Sequence, residues 1–172
     1  MGGHGSGWHR TSKTTVEDCL VLSIQALRRN GLLKPGQYAE CTITWTRNAT
    51  GTTGGAISAS LNLDSTDGIF GLRYTCNGNE PLSYPVRLIT TPLSWGGIRW
   101  WFQCPVESEA KVCGSRVGKL YLPASSLYFG CRHCHDLTYT SCRESHRNDS
   151  LLAAIARRTG MSPEHVRQLM RQ

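Results

Sequence analysis

Four cysteines in two pairs constrain this chain more than any other feature. Cys104 and Cys113 bracket eight residues in CPVESEAKVCG, Cys131 and Cys134 bracket two in CRHC, and seventeen residues separate the pairs. A tetrahedral zinc ion takes four soft ligands, and a C-x2-C turn supplies two thiolates that a second pair on a neighbouring hairpin completes. The segment between the pairs suits such a hairpin, because RVGKLYLP and SLYFG have strand composition and Pro-Ala-Ser-Ser makes a turn between them. The spacing predicts a zinc ribbon with one structural Zn²⁺ held by Cys104, Cys113, Cys131 and Cys134, against the plainer alternative of unliganded core thiols. The first pair is wider than a standard knuckle, so its loop has to bulge. His133 and His135 flank Cys134, and Cys142 lies eight residues beyond it, which makes a Cys₃His set conceivable. Four thiolates are the preferred set. They close the coordination shell and leave no open position for an activated water, which favours scaffolding over metal catalysis. Cys19, Cys41, Cys76 and Cys142 lack ligand spacing and are expected to be ordinary buried thiols.

The opening MGGHGSGWHRTSKTT has no apolar h-region, and no run approaches the roughly 18 apolar residues of a membrane span. A cytoplasmic protein without a membrane partner is expected. In that reducing compartment eight cysteines are better explained by metal and free thiols than by disulfides.

Patterning along the chain predicts an α+β fold in four parts. Residues 1–13 are rich in Gly and Ser and are expected to form a flexible arm. Residues 14–97 read as a helix followed by an antiparallel β domain. Thr14 or Thr15 caps the helix, Glu17 and Asp18 sit in its first turn, Val16, Leu20, Ile24 and Leu27 recur at helical spacing, and Arg28 and Arg29 close it before Gly31. From Tyr38 the period is two: Cys41, Ile43 and Trp45 alternate with threonines, and Ile57 to Leu63, Phe70 to Cys76 and Val86 to Thr90 follow between turn signals. Residues 98–147 hold the ribbon, led by a strand in which Trp100 and Phe102 face one way and Arg99 and Trp101 the other. Residues 148–172 form a basic tail of two helices. Ile155 and Ala156 lie on one apolar stripe, Gly160 breaks it, Ser162 caps and Pro163 begins the second helix, and Val166 lies inside it. That layout is the layout of a helix-turn-helix, though a trihelical unit also needs a preceding helix, for which TYTSCRESHR is the candidate.

Charge follows the same division. Residues 1–97 carry 8 Lys and Arg against 6 Asp and Glu, whereas residues 98–172 carry 11 against 6, so five of the seven net positive charges lie with the cysteines and the tail. A basic surplus beside a ribbon points to nucleic acid, with DNA favoured. The candidate contacts are Arg99, Lys119 and Arg132 around the ribbon and Arg157, Arg158, His165, Arg167, Gln168 and Arg171 on the helices. The tryptophans of RWWFQC are expected to seal the ribbon more than to stack on bases. Asp136, Glu144 and His146 admit a nuclease-like cluster, but no nucleophile, phosphate loop or paired acid accompanies them, so no catalytic residue is assigned.

The stretches GGIRWWFQCP, CGSRVGKLYLP, YFGCRHCHDLTY and RES, with the opening MGGHGSG, TVEDC and TWTRN, resemble a group of uncharacterised zinc-ribbon proteins of proteobacterial genomes, prophages and other mobile regions. The likeness covers most of the chain and implies the four cysteines as ligands, but it brings no activity. The wide first cysteine pair departs from that group. The resulting expectation is a small zinc-ribbon nucleic-acid-binding protein, regulatory or accessory and associated with a phage or mobile element. The alternatives are a protein-interaction module that binds a host enzyme such as a polymerase or defence nuclease, and a zinc-stabilised nuclease.

Overall fold

The computed structural model describes residues 13–46, 53–76, 81–108 and 111–169. The arm expected over residues 1–13 lies outside them except for Lys13. The chain is mixed α+β, dominated by antiparallel sheet, and divides into two compact units: Asp18–Asp136, and Met1–Glu17 with Leu137–Gln172.

The single helix expected from Thr14 does not form. A 3-10 turn covers Val16–Asp18, strand β1 covers Leu20–Ser23, and helix α1 is confined to Ile24–Arg29. The run Leu20, Val21, Leu22 satisfies helical and extended spacing alike, and tertiary pairing decides between them. β1 pairs antiparallel with β10 (Lys119–Leu122), Leu20 opposite Leu122 and Leu22 opposite Leu120. That register buries Leu22 and Leu120 together.

The alternating segments form the expected antiparallel sheet, as a meander. β2 (Tyr38–Thr46), β3 (Thr53–Leu63), β4 (Asp67–Tyr74), β5 (Leu82–Pro92), β6 (Ile98–Gln103) and β9 (Arg116–Val117) make one six-stranded antiparallel sheet in the order β2-β3-β4-β5-β6-β9. Two short strands, β7 (Glu107–Ser108) and β8 (Lys111–Val112), pair only with each other. β6, expected to open a separate ribbon, is therefore the fifth strand of the amino-terminal sheet, and residues 98–136 share a unit with residues 18–97. One face of the sheet is the core. Ile57, Leu61 and Leu63 of β3, Phe70 and Leu72 of β4, Val86 and Leu88 of β5 and Trp100 and Phe102 of β6 are buried with Leu22, Leu27, Leu120 and Phe129. Burial of that apolar area is the main stabilising term of the fold.

The smaller unit is built on one long helix, α2 (Thr140–Thr159), and a short one, α3 (Pro163–Leu169). α2 starts well before the expected residue 148. TYTSCRESHR is not a separate preceding helix, because from Thr140 onward it forms the first turns of α2, and the third helix of a trihelical unit is absent among the described residues. Glu17, expected in the first turn of an amino-terminal helix, serves this one. Its Oε2 accepts hydrogen bonds from the Thr140 backbone N–H at 3.1 Å and the Thr140 hydroxyl at 3.0 Å, placing a carboxylate at the positive end of the helix dipole. Gly160 ends α2 in the left-handed conformation at φ 67°, a position where a Cβ would be strained. The Ser162 hydroxyl then accepts the His165 N–H at 3.3 Å, capping α3. Ala156 and Val166 are buried against each other with Ile155 beside them. No helix among the described residues is long and apolar enough to cross a membrane.

Candidate metal centre

The structure brings Cys104, Cys113, Cys131 and Cys134 together, with all four sulfurs within 4.8 Å of one another. No other group of three or more His, Cys, Asp or Glu ligands gathers in this way among the described residues, and neither His133 nor His135 belongs to the set.

The wide first pair is closed by a hairpin inside it. β7 and β8 pair Glu107 with Val112 and Ser108 with Lys111, and the Cys113 N–H donates to the Val106 carbonyl at 2.9 Å. Below that hairpin the Cys104 N–H donates to Ser115 and the Gly114 N–H to Cys104, at 3.0 and 3.1 Å, continuing the β6–β9 ladder in which Gln103 faces Arg116. The antiparallel pairing of β7 with β8 therefore brings the two ends of this segment together, and its length does not separate the two thiols.

The second pair has the tight turn that its spacing predicts. The Cys134 N–H points at the Cys131 sulfur at 3.4 Å, and the Cys131 N–H points at the Cys104 sulfur at 3.2 Å. The expected hairpin leading into it is reduced to one bridge, Tyr121 with Gly130, because β10 already pairs with β1 and β9 with β6. Tyrosines from the sheet supply what the missing strand pairing does not. Tyr84 accepts the Phe129 N–H at 2.9 Å, Tyr74 donates to the Leu127 carbonyl at 2.7 Å, and the two hydroxyls lie 2.8 Å apart. With Tyr74 donating to Leu127, the Tyr84 proton goes to Tyr74. Burial pushes both phenols above their ordinary pKa, so this chain of hydrogen bonds persists across the neutral range. The Phe129 ring stacks on Trp45 at 6.1 Å and meets Tyr74 edge-on at 5.7 Å. Gly130 leaves room for the loop, since a Cβ there would stand 2.5 Å from Val106 Cγ2 and 2.7 Å from His135 Nε2.

Two of the thiols, Cys104 and Cys131, are buried within the hydrophobic core, while Cys113 is half-buried and Cys134 exposed. The Cys104 and Cys134 sulfurs are 3.8 Å apart and those of Cys113 and Cys131 4.0 Å apart. A tetrahedral ion with metal–sulfur bonds of about 2.3 Å separates its ligands by about 3.8 Å, so the donor set fits a single metal ion bound by four sulfurs. Protonation states fit as well. The Ser115 hydroxyl, 3.2 Å from Cys113, and hydrogen bonding to the Ser115 backbone bring the Cys113 thiol down to about 7. Burial pushes Cys104 up to about 11 and loss of hydration raises Cys134. Without a cation these neighbouring thiols cannot all ionise; a bound metal replaces their protons, and acid competes with it.

The remaining cysteines form no disulfide. Cys41 and Cys76 pack against the core as expected, Cys19 is half-buried, and Cys142 differs from the expectation by being exposed on α2. The candidate nucleic-acid contacts divide between the units. Arg99 and Lys119 are exposed and Arg132 half-buried in the larger one, whereas Arg157, Arg158, His165 and Gln168 are exposed on α2 and α3. The Arg167 side chain and Arg171 lie outside the described residues, as do the side chains of Glu144 and His146. Arg99 is also engaged locally: its guanidinium sits 4.1 Å over the Trp101 ring, while Trp100 and Phe102 on the opposite face are buried. The β7–β8 hairpin and the Tyr74–Tyr84 pair escape a reading of the sequence. The sequence around the first, ESEAKV, has no Gly, Pro, Asn or Asp to signal a hairpin, and the tyrosines fall on the apolar side of their strands, where only the hydroxyl tips are polar.

No protein family, curated protein or solved structure matches this chain.

Proposed function

We propose that the chain is a zinc-ribbon protein that binds nucleic acid, DNA in preference, in a regulatory or accessory role associated with a phage or mobile element. The four-thiol cluster carries this reading. Zn²⁺ is the ion that four thiolates at tetrahedral spacing suit best in a redox-neutral structural site, and with every position taken by protein it fastens the loops without activating water. Cys104, Cys113, Cys131 and Cys134 would hold it. What such a fastened scaffold presents is charge: Arg99, Lys119 and Arg132 on the larger unit, and Arg157, Arg158, His165 and Gln168 on a helix pair whose capped turn and small Ala156 contact suit a groove-reading element.

Binding of this kind is driven by counterion release, so its affinity for duplex DNA should fall steeply with salt, each neutralised phosphate adding about 0.9 to the slope of log K against log salt. Fluorescence anisotropy with a labelled duplex measures that slope. Absence of binding to duplex and to single-stranded nucleic acid alike at low salt, or binding indifferent to salt, overturns the reading and leaves the protein-interaction module in its place.

A further inference from the structure

We propose that the face of the six-stranded sheet opposite the core is a platform for single-stranded nucleic acid; this rests on the nucleic-acid reading above and assigns it a surface and a substrate class. Strand alternation builds that face. With Leu61, Phe70, Leu88 and Phe102 in the core, the residues between them point away from it. Arg73, Arg87, Arg99 and Arg116 lie there, all exposed and one to a strand from β4 to β9. Among the described residues the carboxylates on the same face are Glu40 and Asp67. Glu40 accepts the Tyr38 hydroxyl and Asp67 lies 3.5 Å from Arg87, so the arginines outnumber and are not consumed by them. The surface fits a polyanion.

Aromatic groups stand at both sides of the face. Tyr38, on the edge strand β2, is 64% exposed. Trp101, four strands away on β6, is half-buried, and its ring is fixed by a hydrogen bond from Nε1 to Thr91 Oγ1 at 2.9 Å, with the Arg99 guanidinium layered above it. At about 4.8 Å per strand the two aromatics are about 19 Å apart, room for several nucleotides of an extended strand. Between β2 and β5 runs a trough of about 630 Å³ floored by Ser58, Ser60, Gly71 and Ser83 and flanked by Glu40 and Arg73. Its depth requires Gly71, because a Cβ there would stand 2.6 Å from Ser60 Oγ. Hydroxyl-lined floor, cations and aromatic platforms are the components by which sheet proteins track a sugar-phosphate backbone and stack unpaired bases. Stacking needs bases free of a partner strand, so the face selects single strands over duplex.

The full chain is titrated with labelled oligo(dT), oligo(rU) and a duplex of the same length, about 15 nucleotides. Tighter binding to a single strand than to the duplex is expected, and preference for dT or rU tells whether DNA or RNA is the source. Tyr38→Ala should weaken single-strand binding about tenfold. The triple variant Arg73→Ala/Arg99→Ala/Arg116→Ala should lower the salt slope by about 2, whereas Arg28→Ala/Arg29→Ala, on α1, leaves it unchanged. Nucleic-acid binding that is undiminished in the face variants, or displaced equally by poly-glutamate, overturns this inference alone. A wild-type chain that binds neither duplex nor single strand overturns the nucleic-acid reading itself.

Discussion

Cys131→Ser is expected to abolish metal binding and to lower the melting temperature by on the order of 10 °C. Cys131 is 1% exposed, receives the Cys134 N–H and lies 4.0 Å from the Cys113 sulfur, so a hydroxyl there removes a proposed ligand and places an unmatched polar group in the core at once. Structural zinc contributes directly to folding, with apparent binding free energies of about 10 to 16 kcal/mol in small zinc domains. Here a hydrophobic core shares the task, so a loss of about 3 to 4 kcal/mol is expected, which for a chain of this size corresponds to roughly 10 °C. A strong chelator should bring the wild type down to the same melting temperature and leave the variant unmoved. Cys142→Ser, at an exposed position on α2, should keep both metal and stability. A Cys131→Ser protein that melts with the wild type would mean that the four sulfurs are neighbours without being ligands.

Phe102→Ala should cost about 3 to 5 kcal/mol, the range for removing a large aromatic from a core that cannot collapse into the space. Phe102 has no exposed surface, stacks on Phe70 at 5.8 Å, and sits where β6 pairs with β5 on one side and β9 on the other. It also lies two residues before Cys104, so the variant is expected to hold metal less tightly as well as to unfold at lower urea. Trp101→Ala provides the comparison. It removes a larger side chain from the half-buried opposite face and should destabilise less. Equal midpoints for the two would place the core on the wrong side of the sheet.

The meander was legible because strands with one wet face announce themselves. Ala39, Cys41, Ile43 and Trp45 are half-buried and the residues between them exposed, the alternation that the sequence carries. The cysteine cluster was legible from ligand type and spacing, including the wide first pair, although not the means by which that pair closes. Short apolar runs were where the sequence was ambiguous. Leu20 to Leu22 fits a helix until β10 offers it a partner, and KLYLP fits a hairpin with SLYFG until β1 claims it. Both misassignments have one cause: a strand's partner is chosen by the whole chain, and local propensity is too weak to decide it. The same holds for Glu17, whose carboxylate suits a helix start but whose helix begins 123 residues further on.

The central claim is that four thiolates hold one zinc ion and thereby fasten this fold. Native mass spectrometry of the full chain purified without added metal, paired with elemental analysis, tests it most directly. One zinc per chain, lost on acidification and absent from Cys131→Ser, is the predicted result. A chain that is folded at its full melting temperature with no bound metal, or whose metal content is unchanged by that substitution, would contradict it.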